Sequence, residues 1–117
     1  MTFAVEFEEQ EPTRQAVDQW RGSLLLEFGT DWCPHCRRAQ RLIAAALAAA
    51  PEVRHLKIMD GPGRLLGRSF RVKLWPTLVL MGDGQELARW VRPASTPDFR
   101  AALSSVSAPS VRQLGPA

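Results

Sequence analysis

The sequence is short of several things, and each shortage excludes a class of protein. No apolar run approaches the roughly 18 residues needed to span a bilayer, so no membrane helix is expected. The opening Met1-Thr2-Phe3-Ala4-Val5-Glu6-Phe7 lacks the basic-then-apolar order of a secretory signal. A cytoplasmic location is therefore expected, or a periplasmic one if a leader has been removed. The chain shows no internal repeat and no low-complexity segment. Its net charge is only +3, too small to argue for nucleic acid. Cysteine is scarcest of all: there are two, Cys33 and Cys36. A small secreted domain stapled by disulfides carries more, and spreads them along the chain. A bridge between Cys33 and Cys36 would close so small a loop that it removes little chain entropy. Chemistry explains this pair better than stapling does.

What remains is ordinary for a globular domain. The chain has 117 residues, 45% hydrophobic and 23% charged, enough for one core. The domain is expected over residues 1–107, with 108–117 as a flexible tail. Residues 3–7 read as a short first strand. Pro12 to Trp20 reads as a helix with Ala16, Val17 and Trp20 on one side. Ser23 to Phe28 is a strand buried on both faces. From Cys33 to about Ala50, the residues Ala39, Leu42, Ile43, Ala46, Leu47 and Ala50 make one apolar helical stripe, which Pro51 ends. Val53 to Met59 is a second core strand, and Asp60-Gly61-Pro62-Gly63 a turn. Arg64 to Arg71 is a short helix weakened by Gly67. Thr77 to Met81 and Glu86 to Val91 form a hairpin around Gly82-Asp83-Gly84. Ser95 or Thr96 caps a last helix whose apolar side is Phe99, Ala102, Leu103 and Val106. Strands alternating with helices predict an α/β fold with parallel pairing and an antiparallel edge from the final hairpin.

The chemistry gathers in Trp32-Cys33-Pro34-His35-Cys36. Cys33 stands at the start of the long helix, where free N–H groups and the positive dipole end stabilise a thiolate. Pro34 suits the first helical position. Cys36 lies within the same turn, in reach of Cys33. Cys33 is thus the expected attacking thiol, titrating below a free thiol, and Cys36 the resolving thiol, titrating above it. His35 can donate to the thiolate or hold positive charge near it, which would favour the dithiol. Glu27 interrupts the apolar Leu24-Leu25-Leu26-Glu27-Phe28 strand. Buried behind the sulfurs, it could take a proton from Cys36 and return it.

The segment Leu25-Leu26-Glu27-Phe28-Gly29-Thr30-Asp31-Trp32-Cys33-Pro34-His35-Cys36 resembles the active-site segment of the thioredoxin family. There, too, an acid lies six residues before the first cysteine and a Trp just before it. Trp75-Pro76-Thr77, followed by the hairpin, is similar to the family's cis-proline segment. The resemblance runs over about residues 3–107. It implies the thioredoxin fold, a central mixed sheet of four to five strands flanked by helices on both faces. It also implies a thiol–disulfide oxidoreductase using a redox-active Cys33–Cys36 disulfide with no cofactor and no metal. Its substrates would be protein disulfides or dithiols and its electron donor of the thioredoxin-reductase type. Neither nucleic acid nor membrane is among the expected partners. Trp32, Pro34, Trp75, Pro76 and Thr77 would form the substrate-facing wall. A monomer is expected, since the site must stay open to a protein chain.

The chain departs from the family pattern in places. Pro34-His35 replaces the Gly-Pro of typical thioredoxins and matches the Dsb-type oxidants, so the direction of electron flow stays open. Trp75 replaces a smaller residue. Arg92-Pro93 stands where a glycine is expected after the last strand. Either Lys57 or Leu56 could face Glu27, depending on register. Two other readings compete: a zinc or iron–sulfur site, which lacks ligands because His35 is too close and His55 is the only other histidine, and an interaction module whose cysteines are incidental. Arg37, Arg38 and Arg41 could attract acidic partners but read better as the solvent side of the helix.

Overall fold

The structure, a computed structural model, describes residues 7, 8, 10–93 and 97–107. The expected strand residues 3–6, the Ser95 or Thr96 cap and the tail at 108–117 lie outside them. The elements run α1 (Arg14–Asp18), β1 (Ser23–Gly29), α2 (Pro34–Ala48), β2 (Arg54–Met59), α3 (Leu65–Ser69), β3 (Thr77–Gly82), β4 (Gln85–Val91) and α4 (Pro97–Ser107). At the N-terminal end, Glu8 makes a parallel bridge to Ile58, next to β2.

The four strands form one sheet in the order β2-β1-β3-β4. β1 and β2 are parallel, as their connection through α2 requires. β3 is antiparallel to β1, against the parallel pairing expected. The cause lies in α3, which has only five residues and does not carry the chain back across the sheet. β3 therefore starts where β2 ends, with Thr77 beside Phe28 at the carboxyl end of β1. That reversal brings Trp75-Pro76 to the sheet end from which the Cys33 loop leaves.

The period-two alternation of β1 divides the core into two layers. Leu25 faces α2 and α4, packing with Ile43, Leu47, Leu78, Leu80, Phe99 and Leu103. Leu24, Leu26 and Phe28 face α1 and α3, with Val17, Leu66, Phe70, Val79 and Met81. Each fully buried Leu or Phe stabilises the fold by about 1.5–3 kcal/mol relative to leaving it exposed. The stripe expected on α2 is the buried face, with Ala39, Ile43, Ala46 and Leu47 inside and Leu42 half-buried. Of the apolar set on α4, Phe99 and Leu103 are buried, and Val106 lies outside the side chains described.

Helix ends follow local chemistry. α1 starts two residues after Pro12, because the Thr13 hydroxyl caps it by accepting from Ala16 N at 3.0 Å. The hairpin turns on Asp83 and Gly84, both at positive φ (48° and 82°), as a tight two-residue hairpin requires. Asp83 Oδ1 also accepts from Gly22 N at 2.7 Å, tying the turn to the start of β1.

Candidate active site

Cys33 occupies the N-cap of α2, with Pro34 at the first helical position. Cys33 Sγ accepts from the Cys36 amide at 3.4 Å, taking one of the helix's free donors. The sulfur also lies 3.9 Å from the Trp75 carbonyl oxygen, to which its thiol can donate. Both cysteines are free thiols. Both are buried, Cys33 at 5% exposure and Cys36 at 1%, in one small cluster with Phe7 against which Met59 and Trp75 pack. Burial, then the hydrogen bond with Cys33, pushes the Cys36 thiol up from 9.0 to about 12; a bond from the Thr30 backbone opposes this, and the charges of Cys33 and Glu27 add to it. The Cys36 thiol is thus held well above its ordinary pKa.

Close approach at Cys36 depends on Gly29. A Cβ there would stand 2.5 Å from Cys36 Sγ and 3.1 Å from Phe7 Cζ. Sequence reasoning gave Gly29 no role, because the need for a bare backbone appears only when α2 lies against the end of β1.

The rim residues divide into exposed and buried. Trp32 is 71% exposed and meets Trp75 edge to face, with ring centroids 5.7 Å apart. Trp75 is held by its Nε1, which donates to Asp60 Oδ2 at 2.8 Å. The Trp75–Pro76 peptide is cis. Pro34 and His35 are exposed, whereas Pro76 and Thr77 are buried. The Thr77 hydroxyl donates to Leu74 O at 2.6 Å, so it braces the loop from within rather than lining the substrate wall.

His35 is placed differently from expectation. Its Nδ1 lies 3.4 Å from an Arg38 guanidinium nitrogen. Desolvation, then the positive charges of Arg92 and Arg38, hold its pKa below the ordinary 6.5. Both neighbours thus disfavour a positively charged ring beside Cys33.

Glu27 shares the strand parity of Leu25 and so faces α2. It is fully buried. Register sets Lys57, not Leu56, opposite it. The direct partner, however, is His55, whose Nε2 lies 2.9 Å from Glu27 Oε1. Gln40 Nε2 donates to Glu27 Oε2 at 2.8 Å and to the Cys36 carbonyl at 2.7 Å. Lys57 Nζ donates to Gln40 Oε1 at 2.9 Å. A chain of polar groups thus runs from His55 through Glu27 and Gln40 to the backbone of Cys36. A cavity of about 260 Å³ opens beside it, lined by Thr30, Cys36, Gln40 and Lys57 among others. His55 had been weighed only as a distant metal ligand, and Gln40 had no role. Gln40 lies one turn beyond Cys36, and His55 and Lys57 share a strand face, but only the β1–β2 register joins them to Glu27.

The thioredoxin family profile matches residues 4–105. The chain belongs to the thioredoxin family. It is similar to the thioredoxin of Chlamydia trachomatis, 31% identical over 70 residues that cover 60% of this chain and 69% of that one. Among solved structures it resembles thioredoxin 2 from Pseudomonas aeruginosa PAO1 in its reduced form. There the identity is 50%, with 90% of this chain and 97% of that chain covered, at a TM-score of 0.79. A second is Trxlp from Edwardsiella tarda EIB202, 28% identical over 78% of this chain and 86% of that one, at a TM-score of 0.62. The chain is a thioredoxin-type thiol–disulfide oxidoreductase, and protein disulfides are its substrate class.

Proposed function

We propose that Cys33 is the attacking thiol and Cys36 the resolving thiol, and that the protein works mainly as a disulfide reductant. The observation that carries this reading is the asymmetry of the two sulfurs. Cys33 caps the helix and its sulfur takes the Cys36 amide, whereas Cys36 lies inside the first turn with its pKa raised to about 12. The Cys33 thiolate attacks one sulfur of a substrate disulfide, forming a mixed disulfide and releasing one substrate thiolate. Cys36 then loses its proton and attacks Cys33 Sγ, releasing the second substrate thiolate. Two electrons pass to the substrate, leaving the Cys33–Cys36 disulfide.

Glu27 is the base that receives the Cys36 proton on this reading. No direct contact to the sulfur is needed. The adjoining cavity adjoins Cys36, and the buried Thr30 hydroxyl has no hydrogen-bond partner among the described residues, which suits a relaying water. Trp32, Pro34, Trp75 and Pro76 form the wall against which the substrate chain lies.

The lowered pKa of His35 supports the reductant direction. With the imidazolium disfavoured, the dithiol loses one source of extra stabilisation, and the couple is less oxidising. On this reading the protein works in a reducing cytosol, as a monomer recharged by a thioredoxin-reductase-type donor. No helix among the described residues is long and apolar enough to cross a membrane.

The test is insulin-disulfide reduction with dithiothreitol, combined with trapping. Cys33→Ser should abolish activity, while Cys36→Ser should accumulate a mixed disulfide through Cys33. Equal activity of wild type and Cys33→Ser, or trapping through Cys36 instead, would overturn the assignment.

A further inference from the structure

We infer that the groove beside Trp75 receives acidic side chains flanking the reactive disulfide of a protein substrate. This rests on the exchange reading above and adds to it a preference for one class of substrate.

The groove, about 640 Å³, is lined by Arg64, Arg68, Arg71 and Lys73 together with Asp60 and Trp75. Its charges do not cancel. The Asp60 carboxylate already accepts from the Trp75 indole at 2.8 Å. Arg64 Nε is engaged with the Met59 carbonyl at 3.1 Å and lies 3.6 Å from Glu11 Oε1. Arg68, Arg71 and Lys73 are exposed, and their side chains have no partner among the described residues. Three cations thus line one concavity against a single carboxylate, Asp60, so the groove carries a net positive charge among the described residues. Arg71 is held at φ +58°, a backbone region in which a residue other than glycine is uncommon.

Position ties the groove to the chemistry. Trp75 is part of its wall, and the carbonyl oxygen of the same residue is 3.9 Å from Cys33 Sγ. A substrate chain whose cysteine reaches Cys33 must pass Trp75. At about 3.3–3.6 Å per extended residue, its next few residues fall over the groove. Guanidinium groups there offer paired donors matched to a carboxylate. The other flank of the site is basic too: His35, Arg38 and Arg92 line a smaller cavity of about 310 Å³. Cys33 thus opens into a positive field, which raises encounter rates for acidic partners.

The experiment uses the full reduced chain and three otherwise identical peptide disulfides, with Glu, Gln or Lys at the positions flanking the cysteine. The readout is the second-order rate of oxidation of the protein in a single turnover. The Glu peptide should react about tenfold faster than the Lys peptide at low salt, and the difference should shrink in 0.5 M salt, where the Debye length is only about 4 Å. In the R68E/K73E double variant the Glu-to-Lys rate ratio should fall below one, while in R38E it should stay well above one. Three results would overturn the assignment: a wild-type ratio near one, a ratio unmoved in R68E/K73E, or a ratio collapsed by R38E alone, which would put the selectivity on the opposite flank. Failure of all three peptides to react would overturn the exchange chemistry itself, and this inference with it.

Discussion

His55 Nε2 lies 2.9 Å from Glu27 Oε1, with both side chains fully shielded from solvent. A buried pair of this kind binds each partner to the other's presence. Removing one leaves the facing atom of the other buried without this bond, at a cost of about 1–3 kcal/mol. Replacing both with apolar residues of similar volume costs far less. Glu27→Leu and His55→Leu should each destabilise strongly, and the double variant should lose much less than their sum. Urea denaturation of the four proteins measures the coupling. Strictly additive losses would mean the two groups do not depend on each other.

The Cys36 thiol gives stability a pH dependence with a definite sign. Its folded pKa is about 12, against 9.0 for the ordinary group. Between those values the unfolded chain releases this proton while the folded chain keeps it. The unfolded state then binds fewer protons, so stability falls as pH rises from 9 towards 12. Below pH 9 both states hold the proton and the effect vanishes. Denaturant titrations at pH 8, 10 and 11 should show a steeper decline for the reduced protein than for Cys36→Ser. The chain contains no tyrosine and only two lysines, so few other groups titrate in that window. Parallel curves for the two proteins would contradict the burial of Cys36.

Local features of the fold were legible in the sequence, and features depending on register or on distant packing were not. The Cys33-Pro34 helix start, the apolar stripe on α2 and the Asp83-Gly84 turn each follow from a few neighbouring residues. Glu27 was recognisable as a charge in an apolar strand. Its partner His55 was not, because pairing them requires the parallel register of β1 and β2 across the whole of α2. The same holds for Gln40, which is half-buried and looks like any polar helix residue until Glu27 is set against it. The antiparallel entry of β3 depended on the shortness of α3, which the sequence suggested as a longer helix from Arg64 to Arg71. The cations of the groove span Arg64 to Lys73, and nothing in their spacing shows that they share one concavity.

Arg92 stands at φ +51°, where a glycine is expected after the last strand of the family. Its Nε donates to the Trp75 carbonyl at 2.8 Å, beside the Cys33 sulfur. Backbone strain and side-chain bond therefore act in opposite directions at one residue. Arg92→Ala removes the bond and keeps the strain, whereas Arg92→Gly removes both. The Gly variant should be more stable than the Ala variant by about 1 kcal/mol, the usual cost of this backbone region for a residue with a Cβ. Thermal denaturation at pH 7 separates them. An Ala variant as stable as the Gly variant would show that the loop relaxes out of the left-handed region once the arginine is gone.

Desolvation and two cationic neighbours, Arg92 and Arg38, hold the His35 pKa below its ordinary value. Nearby positive charge disfavours the imidazolium, so the pKa falls. Proton NMR titration of the reduced protein should place His35 below 6.5. Removing one neighbour removes repulsion and should raise the value, in Arg92→Ala and in Arg38→Ala alike, with the larger rise in Arg92→Ala. The consequence reaches Cys33. With the charged ring disfavoured, His35→Ala should leave the rate of Cys33 alkylation by iodoacetamide at pH 8 nearly unchanged. A large fall in that rate in His35→Ala, or a His35 pKa above 6.5, would restore the imidazolium to the site and turn the electron-flow argument towards an oxidant.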